Sequence, residues 1–293
     1  MTWALGLQGR LFCAVACALV VASLAGARLN PHDELLAVGL LVLLLGMPHG
    51  ALDVLIARQL FGTANVWGWT FFCVSYLGLA AAVVGVWMVA PTLFLGLFLT
   101  GSALHFAGDP AAGASKLARI GYGGAVIVLP ALWHGAELQR LLGLVAGPES
   151  AELITPVLSH LAWPCLAAMV LACAGQFRTN ALAACESAGL AALALAAPPL
   201  VAFSAYFCVM HSPRHVIKTC AGLNSAEVRK AWAMALYPTL AVVIAAALLF
   251  WLVDGVTLEA RVMQILFVGL AALTLPHMGL LEHARWAAAA AHR

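Results

Sequence analysis

Apolar runs long enough to cross a bilayer, separated by short polar breaks, recur along the whole of this 293-residue chain. That pattern leaves few folds open. About 20 predominantly apolar residues span the hydrocarbon core as an α-helix, and backbone inside lipid must satisfy its own hydrogen bonds. About ten such stretches are marked, at 11–27, 34–56, 68–90, 92–107, 119–134, 156–175, 181–197, 199–217, 232–253 and 262–281. Pro91, Pro198 and Pro199 suit helix starts, where the missing N–H costs nothing. The expected fold is therefore all-α, a polytopic transmembrane helical bundle forming one domain over 1–293. Composition agrees, with 64% hydrophobic residues and 9% charged against roughly 45–50% and 25% in soluble domains. A water-soluble globular protein and a disordered chain are excluded. So is a nucleic-acid binder, because a net charge of +2 from scattered side chains cannot track a phosphate backbone.

Basic residues orient the bundle. With the N-terminus inside, the outer segments hold only Arg28, Arg140 and Arg261, and the other eleven of the 14 Lys and Arg, Arg214 among them, fall on the cytoplasmic side. This asymmetry predicts both termini in the cytoplasm of a multi-pass protein of the cell (inner or plasma) membrane. The first span is either an extra helix or a signal-like segment, given Arg10, an apolar core and the small-residue run Ala25-Gly26-Ala27. The eight cysteines form no CxxC pair and read as small buried hydrophobes.

The ten histidines are more informative, because each ionisable group inside an apolar segment needs a reason to be there. His49, His105, His211, His215 and His277 all sit on spans running from outside to inside, at a similar cytoplasmic-side depth. A shared depth on different helices is what a bundle-core metal site requires. His211 and His215 are four residues apart and share a helix face, with Pro213 between them weakening the local helix. His49 with Asp53 and His105 with Asp109 repeat the four-residue spacing, so each carboxylate is placed to accept its histidine's second N–H. Taken singly, any of these residues reads equally well as a helix-helix hydrogen bond, and Asp53 and Asp109 as helix-end carboxylates in water. Four histidines at one depth favour a metal. His277 stays open as ligand, support for a ligand, or pocket wall. His134 and His160 lie toward the outer face and read as structural. Phe106, Phe203, Tyr206 and Phe207 are candidates for lining a substrate channel, although core packing is the commoner role. Imidazoles suit zinc, copper, iron or nickel, and the HExxH of zinc hydrolases is absent.

Four motifs together, Pro48-His49-Gly50-Ala51-Leu52-Asp53, His105-Phe106 with Asp109, His211-Ser212-Pro213-Arg214-His215 and Pro276-His277-Met278, resemble the Brp/Blh family of β-carotene dioxygenases. The resemblance runs from about residue 40 to 283, so the first span precedes it. It implies a multi-pass enzyme that cleaves β-carotene at its central double bond with O2, giving two molecules of retinal. It further implies an Fe(2+) cofactor held by His49, His105, His211 and His215, with Asp53, Asp109 and His277 around them. The expected partners are β-carotene and O2 as substrates, the lipid bilayer, and a functional link to a retinal-binding rhodopsin. Such an enzyme needs a dry apolar channel that measures length from the metal. Two other readings stay open. Another membrane iron oxidase acting on a polyene or lipid would usually carry several HxxxH or HxxHH boxes. A transporter with intramembrane histidines would show inverted repeats, and no two-half symmetry is visible.

Overall fold

The computed structural model describes residues 2–61, 66–111, 113–252 and 254–291, and the side chains of Pro48 and His49 lie outside the described residues. Every regular element among them is helical: α1 (Thr2–Leu24), α2 (Pro31–Leu41), α3 (Pro48–Ala51), α4 (Asp53–Phe61), α5 (Val66–Val89), α6 (Pro91–Phe106), α7 (Lys116–Val128) and α8 (Pro130–Trp133) come first. Then follow α9 (Gly135–Ala146), α10 (Pro148–Gln176), α11 (Ala181–Ala196), α12 (Pro199–Ala205), α13 (Ser212–Thr219), α14 (Ser225–Leu252) and α15 (Leu258–Ala291). Proline punctuates this order. Pro91, Pro148 and Pro199 each open a helix, whereas Pro198 is the residue before α12. Asn224 accepts from the N–H groups of Ala226 and Glu227 while Glu227 accepts from Asn224 N–H, a reciprocal cap that starts α14.

Among the described residues, five helices are long and apolar enough to cross a membrane: α1, α5, α10, α14 and α15. α6 and α11 are shorter apolar helices. The other expected spans are composite. Over 34–56, α2 runs into a π-helical turn at Val42–Gly46, then α3 and α4. Over 199–217, α12 runs into a second π turn at Tyr206–His211, then α13. Apolar length predicts continuous spans there, but π turns and prolines divide them.

The Ala25-Gly26-Ala27 run is the C-terminal cap of α1. Gly26 has φ of 83°, its N–H donates to Ser23 O, and Ala27 N–H donates to Ala22 O. That pair of bonds is the Schellman ending, which calls for glycine at the left-handed position. α1 also packs along α11, with Phe12 and Ala16 fully buried and Gly9 so close to Glu186 that a β-carbon would collide with it.

The connection expected between the apolar runs at 119–134 and 156–175 contains α9. Its leucines at 138, 141 and 142 and Val145 are buried, an amphipathic pattern too short to cross a membrane. Trp87 donates to Val145 O at 2.8 Å and Gln264 to Leu144 O at 3.1 Å, satisfying carbonyls the helix end leaves open.

Helices α6, α7, α9, α10, α11 and α12 build the main core, which α1, α2 and α15 flank. α5 contributes no buried residue, and α14 only Ala231 and Ala235. Those two helices line the periphery beside the histidine motifs.

Candidate metal centre

Each histidine motif sits at a break in its helix. Pro48 opens α3 directly after the first π turn. His105 lies in the last turn of α6. His211 ends the second π turn, and Pro213 falls in the first turn of α13. Pro213, expected to weaken the local helix, has no N–H to donate to the turn before it, and the Val209 carbonyl there accepts from Gln8 Nε2 at 2.7 Å. Pro276 removes one α15 hydrogen bond immediately before His277. The two π turns pack on one another. Ser212 Oγ donates to Leu45 O at 2.7 Å, and Gly46 meets the Phe207 ring with no room for a β-carbon.

The breaks bring four imidazoles together. Ring centroids lie 4.7 Å apart for His105 and His211, 5.2 Å for His105 and His277, and 5.0 Å for His215 and His277. His105 Nε2 and His211 Nε2 stand 3.1 Å apart. The side chain of His49 lies outside the described residues. Among the described residues, no hydrogen bond or ring contact joins His134 or His160 to this group. His134 caps α8, and His160 Nδ1 faces Pro156 O within its own helix at 2.7 Å.

The carboxylates support the cluster in pairings different from those the spacing suggests. Asp109 Oδ2 lies 2.8 Å from His211 Nδ1 and accepts from the Tyr206 hydroxyl at 2.5 Å; it makes no bond to His105, four residues before it. Asp53 Oδ1 lies 2.6 Å from His277 Nδ1, and Oδ2 accepts from the Tyr76 hydroxyl at 2.9 Å. Both carboxylates are buried, at 2% and 6% exposure, so neither is a helix-end acid in water. His277 therefore has the same kind of carboxylate support as His211. Tyr76, in the middle of an apolar run, escaped the sequence reading; a lone hydroxyl inside such a span was the available signal.

Of the aromatics considered as channel lining, Phe207 stacks on His211, with centroids 5.5 Å apart, and borders a cavity of about 310 Å³. Tyr206 is instead turned to Asp109 and fully buried. Phe106 packs on His211 at 4.9 Å and, with Phe203, lines a smaller cavity of about 90 Å³ elsewhere. The larger cavity is also lined by Asp53, Tyr76 and His277 and is otherwise almost wholly apolar.

Behind the cluster, Arg214 is not a cytoplasmic charge, as its place in the basic-residue count supposed. It is 5% exposed and forks onto Glu186 at 3.0 and 2.6 Å. It also donates to Asp109 O at 3.2 Å and to Gln8 Oε1 at 3.0 Å. Gln8 donates in turn to Val209 O at 2.7 Å. α1 thereby joins a buried network that runs to the backbone of the acid holding His211.

The donor set fits a transition metal. Imidazoles whose outer nitrogen faces a carboxylate are oriented as metal ligands commonly are, with tautomer and ring angle fixed from behind. Two nitrogens each about 2.0–2.1 Å from one ion stand roughly 3.0–3.4 Å apart when adjacent, which the 3.1 Å separation of His105 and His211 matches. Among the described residues, no three His, Cys, Asp or Glu side chains form a closed metal-binding group.

Comparison with known proteins bears on this arrangement. The sequence model of the family described as beta-carotene 15,15'-dioxygenase matches residues 40–283. A protein of uncultured marine bacterium 66A03 named beta-carotene 15,15'-dioxygenase is 34% identical, with 83% of this chain and 90% of that protein covered. A protein of Halobacterium salinarum named probable beta-carotene 15,15'-dioxygenase Blh is 26% identical, covering 87% of this chain and 86% of its own. No solved structure matches this chain. Clustered imidazoles held by buried acids, on a chain aligned with these proteins over most of its length, lead to one conclusion: the chain belongs to the beta-carotene 15,15'-dioxygenase family.

Proposed function

We propose that this protein is a membrane non-haem iron dioxygenase that cleaves β-carotene at its central double bond, giving two molecules of retinal. The observation that carries the reading is the juxtaposition of His105, His211, His215 and His277 with an apolar cavity that His277 itself lines. The ligands are drawn from these four and His49. Iron bound there would supply the activation of dioxygen that an electron-rich polyene needs. Each carbon of the broken double bond takes one oxygen atom, so no external reductant is consumed.

The chain's own residues orient and exclude. Asp109 and Asp53 fix the rings of His211 and His277 from behind and offset the cation's charge in a dry site. Tyr206 and Tyr76 hold those carboxylates in turn. Phe207 and the apolar cavity wall keep water from the bond being broken. No acid–base pair is required by the reaction, in keeping with carboxylates committed to histidines rather than facing the cavity alone.

In this reading the chain crosses the cell membrane about ten times, with both termini in the cytoplasm, which the bias of basic residues supports. A lipophilic substrate then arrives from the bilayer, and retinal leaves toward a retinal-binding protein such as a rhodopsin. The test is expression in a β-carotene-accumulating bacterial host. Bleaching of the orange colour with retinal in the extract is expected, and unchanged pigment with no retinal overturns the reading.

A further inference from the structure

Another cavity, of about 290 Å³, lies between α2, α14 and α15, and all its lining residues are apolar. It shares Met47, Val242, Leu270 and Leu273 with the cavity that His277 lines. The two therefore meet in one groove that follows α15 from His277 to Val262. That is fifteen residues, about 22 Å of helix at 1.5 Å per residue.

The outer half of α14 forms one wall with no buried residue, although its end is joined to α15 where Arg261 donates to Phe250 O at 3.0 Å. Only Ala231 and Ala235 of α14 are buried, both near its N-terminal end, where it packs on α3 and α4. The opposite wall holds Gly269 in the middle of α15. Glycine inside a helix costs roughly 0.5–1 kcal/mol relative to alanine. At this one, a β-carbon would have no neighbour within 4 Å. Helix packing therefore does not demand this glycine, and what its absent side chain preserves is the width of the groove. Gly269 stands eight residues before His277, about 12 Å along the axis.

We propose that this groove receives one arm of the polyene, with Gly269 as the specificity-determining position that lets a full-length arm pass. The inference rests on the proposed carotenoid cleavage and adds where the substrate lies. The occupant follows from the groove's chemistry: a long uncharged chain is the ligand class that an apolar slot leading to the histidine cluster accepts without leaving a polar group unpaired. A bond at the cluster is then chosen by how far the arm can advance along α15, and the exposed outer half of α14 forms the slot's side toward lipid.

The test compares β-carotene with a β-apocarotenal, in which one arm is cut short of its ring, in Gly269→Phe and, from the facing wall, Ala246→Phe. In both variants the ratio of β-carotene cleavage to apocarotenal cleavage is expected to fall tenfold or more. Bound metal should stay at the wild-type level, and quenching of tryptophan fluorescence by β-carotene should weaken in parallel. An unchanged ratio in a folded variant, whether both rates persist or both fall together, overturns the inference. Failure of the wild-type protein to cleave either compound is distinct, because it overturns the proposed function and the groove's role with it.

Discussion

An acid inside an apolar bundle is costly unless paired, and here Asp53 and Asp109 are each held by one histidine and one tyrosine. That arrangement makes His277 the informative residue. Spacing leaves its role open, because its carboxylate partner is not one turn away but Asp53, 224 positions earlier in the chain. Alanine at His277 should therefore lower bound metal as alanine at His105 or His211 does, measured by metal analysis of purified variants; full metal content in that variant would remove His277 from the ligand set. Asparagine at Asp53 or Asp109 should keep the metal but weaken its affinity on the order of 10–100-fold, read by competition with a chelator. Tyr76→Phe removes one donor from a carboxylate that retains its histidine, so it should fall well short of Asp53→Asn in the same assay. Alanine at His134 or His160 should leave metal content unchanged, since neither ring touches the cluster.

Elements, rather than single residues, decide how these side chains meet. Apolar length and helix-start prolines make α5, α6 and α11 legible from sequence, with ends within two residues of the expected bounds. The composite spans are not legible in that way. A π turn adds a residue to the helical register without altering composition, so the turn that ends at His211 sets where the face shared by His211 and His215 points. One ring meets His105 and the other His277. Arg214 shows the same limit from the other side, since a basic residue near a span end is normally a cytoplasmic one. Its partner Glu186 sits on α11, a helix that no local pattern ties to the HSPRH motif. Arg214→Met alone leaves that carboxylate buried and uncompensated, so stability should fall by about 3–5 kcal/mol. Adding Glu186→Gln should restore a large part, measured as the unfolding midpoint in detergent. Equal losses in the single and double variants would mean that the ion pair does not couple these helices. Gln8→Ala removes an acceptor from Arg214 Nε and should cost about 1–3 kcal/mol in the same assay. α1 thus supports the site although the family match begins at residue 40.

The protein as a whole combines a bundle of apolar helices, a cluster of imidazoles and an apolar groove. The fold class and four of the five candidate histidines' meeting point were readable because hydropathy sets depth, and depth restricts which residues can meet. The groove was not, because it arises from where α14 fails to pack, and a lipid-facing helix and a groove-facing one share the same composition. Orientation has its own test. Reporter fusions after Ser115 and Gly222 should read cytoplasmic and one after Ala146 external, and a Ser115 fusion reading external would invert the placement of His105.

The central claim is dioxygen-dependent central cleavage at this cluster. The most direct test follows oxygen uptake and products together, using purified iron-loaded protein and β-carotene. The account predicts two molecules of retinal for each O2 consumed, with both activities absent from His211→Ala. Long-chain apocarotenals as products, or retinal formed without oxygen uptake, would contradict it.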